Sequence, residues 1–165
     1  MPTYTVPGMT KKDATSVIKT LSDRLASLID LSLTLKHVHW NVVGEGFIAV
    51  HKMLDPQVEA VRSMVDETAE RIATLGGVPK GTPGSVVETR SWDDYSLDRA
   101  TVVTHLHQVE AVYSGVIEDH RKAQDSIGDT DPVSEDMLIG QLAKLEQYQW
   151  FVRAHLENAE GEIES

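Results

Sequence analysis

The stretch FIAVHKMLDPQVEAVRSMVDETAERIATLGG, residues 47–77, decides the fold. Within it Phe47, Val50, Leu54, Val58, Val61, Val65, Ile72 and Leu75 recur at helical steps, which lines them along one stripe of an α-helix. Gly76-Gly77 closes the series as a helix C-terminal signal. Upstream, Val17, Leu21, Leu25, Leu28, Leu31, Leu35 and Val38 repeat the pattern and predict a first helix over roughly 10–40. The turn between the two is Gly44-Glu45-Gly46. Downstream, Gly76 to Ser96 holds Pro79 and Pro83 among glycines and threonines, a connection with a short helix near Ser85 to Thr89. Leu106, Val109, Tyr113, Val116, Ile117 and Ile127 mark a third long helix, with a start at Ser96. Asp131-Pro132 opens the fourth, because Asp caps a helix N-terminus well and Pro is tolerated in the first turn. That helix runs through Leu138, Leu142, Leu145, Val152 and Leu156 to about Gly161.

Two short turns and one connection of about twenty residues fit an all-α fold, a four-helix bundle with a long crossover carrying a short helix between helices two and three. This is the ferritin-like arrangement. The 165 residues make one domain, 1–165, with a short N-terminal tail at about 1–9 and an acidic end at about 157–165. An apolar fraction of 41% with 25% charged residues is that of a globular protein. No apolar run approaches bilayer length and MPTYTVPGMTKK lacks a signal-peptide core, so a cytoplasmic location without membrane association is expected. The absence of cysteine excludes disulfides and thiolate metal sites. A net charge of −11 disfavours nucleic acid and favours cations. The glycines of Gly76 to Gly81 have phosphate-loop spacing, but Thr82-Pro83 stands where Lys-Ser/Thr is required.

At about 100° per residue, His51, Asp55, Asp66 and Glu70 fall near 0°, 40°, 60° and 100° around the second helix, on one face. Asp55 and Asp66 are nevertheless about 16 Å apart along the axis, beyond the reach of one ion. The four residues are two pairs, each at i,i+4 spacing. If the helix packs antiparallel against a copy of itself about a dyad near Ala60 and Val61, His51 and Asp55 of one chain face Asp66 and Glu70 of the other. Two identical sites about 22 Å apart result. His39, at the end of helix one, closes toward His51. Two imidazoles and three carboxylates suit Fe(II), Mn(II) or Zn(II), with iron the leading candidate. The plainer reading is a solvated charged face with ordinary hydrogen-bonded histidines. Related di-iron bundles use Glu-x-x-His within one subunit, a motif this sequence lacks, which points to a site at an interface.

The segment His39-Trp40-Asn41-x-x-Gly44-x-x-Phe47-x-x-x-His51-x-x-x-Asp55, followed by Asp66-x-x-x-Glu70-Arg71, closely resembles the signature of the Dps or mini-ferritin family. Gly76-Gly77-x-Pro79 and Trp150-Phe151 extend the resemblance over most of the chain. It implies a homo-oligomeric, dodecameric shell that oxidises Fe(II), preferentially with hydrogen peroxide, stores the ferric product and protects against oxidative damage. It implies His39, His51 and Asp55 as iron ligands from one chain, and Asp66 and Glu70 from its partner. Trp40 is implied as an electron donor in peroxide reduction, with an interface-packing aromatic as the alternative. Asp131, Glu135 and Asp136 line an iron-entry pore on this reading, or favour the helix dipole on the plainer one. His37, His105, His107, His120 and His155 read as ordinary, with no evident partner for His120 or His155.

Dps relatives that coat DNA do so through lysine-rich tails, whereas here Lys11 and Lys12 stand alone before the first helix and Glu157 to Ser165 is acidic. Twelve copies at −11 carry roughly −132, so strong direct DNA binding is not expected. Two other functions fit the residue types. One is a metal-dependent hydrolase at the same interface site, and the other a mainly structural or DNA-protecting shell.

Overall fold

The structure, a computed structural model, describes residues 2–159. Four long helices and one short helix follow in the order α1 (Lys11–Asn41), α2 (Phe47–Thr74), α3 (Pro83–Thr89), α4 (Val102–Ile127) and α5 (Pro132–Ala159). Two-residue strands β1 (Val42–Val43) and β2 (Ala100–Thr101) pair in parallel, Val42 with Ala100 and Val43 with Thr101. The expected all-α bundle with a helix-bearing crossover is the architecture observed, and the strand pair is the one addition.

Local chemistry sets the boundaries. Thr10 caps α1 by accepting from the Asp13 backbone N–H at 3.1 Å. Gly44 and Gly46 take φ of +93° and +74°, the left-handed conformation that lets the chain reverse in so few residues. At the end of α2, Gly77 N donates to Ile72 O and Gly76 N to Ala73 O, with Gly76 at φ +86°, which is a Schellman cap. A Cβ on Gly76 would lie 2.0 Å from Tyr4 O, so the N-terminal segment also needs that glycine. α3 begins two residues before the predicted Ser85, with Pro83 in its first turn. α4 begins at Val102 rather than Ser96, because Leu97 O is taken by His37 Nε2 at 2.8 Å, β2 pairs with β1, and Thr101 caps the helix. The predicted α5 end at Gly161, and most of the acidic C-terminal end, lie outside the described residues.

β2 sits beside the turn that ends α1, so the crossover must return the length of the bundle and α2 and α4 run the same way. It is tied down on its route. Arg90 bonds Asp30 at 2.9 Å and also holds Asp94, Trp92 Nε1 donates to Asp30 at 2.8 Å, and Tyr95 OH meets His105 Nδ1 at 2.9 Å. The core is in two parts. One gathers Leu28, Leu35, Leu54, Val61, Leu106, Tyr113 and Leu145, and the other Val17, Leu21, Ile72, Leu75, Ile127 and Leu138. Between them in sequence level lies a buried polar group contributed by all four long helices: Arg24, Thr68, His120 and Gln141. His120 Nε2 donates to Gln141 Oε1 at 3.1 Å, and Gln141 Nε2 donates to Thr68 Oγ1 at 3.2 Å. Arg71 joins α2 to the start of α5 through both carboxylate oxygens of Asp131, at 2.9 and 2.7 Å, and through Ser134 at 2.9 Å.

Candidate metal centre

The tight turn between α1 and α2 brings the last turn of one helix against the first turn of the other, and with them His39 and His51. Each ring bonds the other residue's backbone. His39 Nδ1 lies 2.8 Å from His51 O, and His51 Nδ1 lies 2.9 Å from His39 O. The rings stack with centroids 3.7 Å apart at 20°, and Phe47 leans on His51 at 5.1 Å. A carbonyl only accepts, so in each neutral ring Nδ1 carries the proton and Nε2 keeps the lone pair a metal ion takes. An Nδ1–H held by a backbone carbonyl is also the usual outer-shell support of a metal-binding imidazole. The pair therefore has the tautomer that leaves each Nε2 lone pair available.

Asp55, one turn beyond His51 on α2, places Oδ1 3.4 Å from His39 Nδ1 and 2.7 Å from Lys36 Nζ. The hydrogen bond from Lys36 is the main reason its carboxyl titrates below the usual carboxylate range; burial opposes the shift, while His39, Lys36 and His51 favour the charged form electrostatically. Lys36 was not among the residues the sequence singled out. Its position one turn before His39 is the signal that marks it, although only the fold shows that it reaches Asp55. A lysine on this oxygen competes with any cation arriving there.

Asp66 and Glu70 lie farther along α2, exposed, and neither carboxylate has a hydrogen bond or ion pair among the described residues. Nor, among those residues, is any group of three His, Asp or Glu placed to hold an ion within one chain. Within one chain the His39–His51–Asp55 group and the Asp66–Glu70 pair stay apart. Val61 is buried in the core, so the expected dyad level near Ala60 and Val61 is faced by Glu59, Arg62 and Ser63, which point outward, with Ala60 half-buried at the flank.

Trp40 follows His39 directly but is 70% exposed, with Lys36 Nζ 6.0 Å from its ring centre and Leu33, also exposed, two turns back on the same face. The acids at the start of α5 divide. Asp131 turns inward, 4% exposed, closed by Arg71 and by a hydrogen bond from Ser134, so its carboxylate is not free to line a pore. Glu135 accepts from Gln124 Nε2 at 2.8 Å, and Asp136 is exposed. The histidines expected to lack partners have them: His120 bonds Gln141, and His155 Nδ1 donates to Phe151 O at 2.9 Å.

A bundle of four long helices with one full-length crossover is the architecture of the ferritin-like class. Residues 18–161 match the family model described as the Ferritin-like domain. Within that class the chain belongs to the Dps family. It is 56% identical over 163 residues to the DNA protection during starvation protein of Mycolicibacterium smegmatis, covering 99% of this chain and 89% of that one. A solved structure of Mycobacterium smegmatis Dps, tetragonal form, superposes with a TM-score of 0.95 at 56% identity over 99% of both chains. DpsA14 from Streptomyces coelicolor does so with a TM-score of 0.94 at 58% identity, over 99% of this chain and 98% of that one. Among the described residues no helix is long and apolar enough to cross a membrane.

Proposed function

We propose that this chain is a ferroxidase and iron store. On this reading it oxidises Fe(II), preferably with hydrogen peroxide, at sites shared between two copies, and it holds the ferric product inside a twelve-subunit shell in the cytoplasm. The observation that carries the reading is the reciprocal His39–His51 lock, which uses both Nδ1 atoms and leaves two Nε2 lone pairs, with the Asp55 carboxylate 3.4 Å from His39 Nδ1 and too few ligands to finish a site. Asp66 and Glu70 are the uncommitted carboxylates at the matching distance on the same helix face. Opposed across a twofold axis, the halves give two nitrogen and three oxygen ligands, a set suited to Fe(II) and open to Mn(II) or Zn(II), with carboxylates that favour Fe(III) once formed.

In this scheme iron is the substrate. The imidazoles hold it, Asp55 and Asp66 bring negative charge from opposite sides, and two Fe(II) each give one electron to one hydrogen peroxide, whose O–O bond breaks and whose oxygens leave with two further protons as two waters. Trp40, exposed next to His39, is either a further electron source or an anchor in the partner's surface. Of the pore acids, the outward Asp136 and Glu135 remain in the proposal and Asp131 does not. Protection of DNA, the property in the name of the M. smegmatis relative, comes here from removing iron and peroxide rather than from coating the polymer, because −11 per chain repels phosphate. A stable complex with DNA in a mobility-shift measurement at physiological salt would contradict that part.

The test adds Fe(II) anaerobically, then peroxide, and follows ferric absorbance in wild type and in an Asp66→Ala, Glu70→Ala double variant. Both residues are exposed, so the fold should survive and the initial rate should fall at least about tenfold. Equal rates would refute the site. Light scattering on the same samples should show one large species, and a monomer or dimer alone would refute the shell.

A further inference from the structure

The outer face of α2 carries two more charges, between the half-sites. Glu59 and Arg62 are both exposed, and neither side chain has an ion pair or hydrogen bond among the described residues. At i,i+3 spacing on one helix they are close enough to meet, and they do not. Their positions have a second property. In an antiparallel pair of identical helices, residues at the same level have numbers with a constant sum. The shared-site reading sets His51 level with Glu70 and Asp55 level with Asp66, and both pairs sum to 121. So do 59 and 62. Around the axis Glu59 and Arg62 fall near 80° and 20°, either side of the 50° midline of the ligand face. Each lies about 2 Å of helical rise from the dyad, so their proximity hardly depends on the angle at which the helices cross.

We infer that Glu59 of each chain pairs with Arg62 of the partner subunit across the dyad, and that these two ion pairs set the register in which the metal halves meet. The partner is a second copy of this chain, and the inference rests on the shared-site reading above. Other registers are penalised by the same residues. A slide of one turn in one direction sets Glu59 against Asp66 and Asp55 against Glu70, all like charges. The same slide in the other direction lays Arg62 on Asp55, a guanidinium where iron must bind. Slides of three residues oppose Glu59 to itself or Arg62 to itself. Glu67 lies at roughly 160°, off the ligand face, and among the acids on that face Arg62 meets one that is not a ligand only at a sum of 121. That pairing also draws it away from Asp66, one turn along its own helix, which it would otherwise be free to occupy.

The test compares Glu59→Arg, Arg62→Glu and the double reversal with wild type. Sedimentation velocity over a dilution series reports assembly, and anaerobic Co(II) titration followed by visible absorbance reports assembly of the metal site. Each single reversal opposes like charges twice at the dyad, so both assembly and Co(II) affinity should fall by at least about tenfold. The double reversal, which restores complementarity with the charges exchanged, should return to within about threefold of wild type. Single reversals that change neither quantity, or a double reversal no better than the singles, would overturn the register pairs. The Asp66→Ala, Glu70→Ala variant separates this from failure of the site itself. If it keeps wild-type Co(II) binding the shared site is wrong. If it loses binding while the reversals do not, only the register inference is wrong.

Discussion

Acid should destabilise this protein through His120 before most carboxylates titrate. The ring is fully buried, its Nε2–H donates to Gln141, and Nδ1 has no partner among the described residues. A proton added at Nδ1 is opposed first by burial and then by the nearby Arg24 guanidinium, and the pKa is pushed down from 6.5 to about 4. Because the folded value lies below the unfolded one, the unfolded chain binds the proton first. The neutral ring's contribution is therefore intact above about pH 6.5 and is lost progressively as pH falls toward 4. Linkage over that shift gives about 2 kcal/mol per chain at pH 5, rising to about 3 kcal/mol by pH 4. The perturbation is His120→Gln, which keeps a polar group beside Gln141 and removes the titration. Urea unfolding at fixed protomer concentration, from pH 7.5 to 4.5, should show wild type losing about 2 kcal/mol more than the variant by pH 5. Some acid sensitivity remains in the variant, since burial also lowers the pKa of His105. Profiles that run parallel over the whole range would refute the assignment.

Two further outcomes follow from single contacts. Arg71→Ala leaves the Asp131 carboxylate buried with Ser134 as its remaining side-chain partner, and should lower unfolding stability by about 3 kcal/mol, with partial recovery on adding Asp131→Asn; a loss below about 1 kcal/mol would show that the pair is weakly coupled to the fold. Lys36→Met removes the cation from Asp55, a half-exposed partner, and should tighten anaerobic Co(II) binding at pH 7 by up to about fivefold, the range of such ion pairs. Weaker binding would instead make Lys36 a support for Asp55 rather than a competitor.

The two pairs of the proposed metal centre differ in how far they are legible from residue order. That they are separate pairs within one chain follows from the i,i+4 spacing of His51 with Asp55 and of Asp66 with Glu70, and from a rise of about 16 Å between the pairs. The closure of His39 on His51 is legible as proximity, because the three-residue turn Gly44-Glu45-Gly46 leaves the chain little choice of return. Its chemical content is not. Which ring nitrogen carries the proton depends on two backbone carbonyls that only the packed corner places at 2.8 and 2.9 Å. Lys36 on Asp55 and the inward turn of Asp131 onto Arg71 were likewise invisible, being contacts 19 and 60 residues apart in the chain.

By itself the sequence determined the four long helices, the crossover, the glycine-ended turns and the shared helix face of His51, Asp55, Asp66 and Glu70. These depend on neighbours within one turn of helix, through apolar period, caps and left-handed glycines, and such interactions are complete wherever the segment is placed. The tertiary structure decided where α4 starts, which acids stay outside and which side of α2 is left exposed. Val61 shows the reason. Its number places it at the level of the proposed twofold axis, but helix packing buries it in the core and leaves Glu59 and Arg62 on the surface. A helix has a full circumference of positions at every level, and only the neighbours packed against it select the side that remains for a partner.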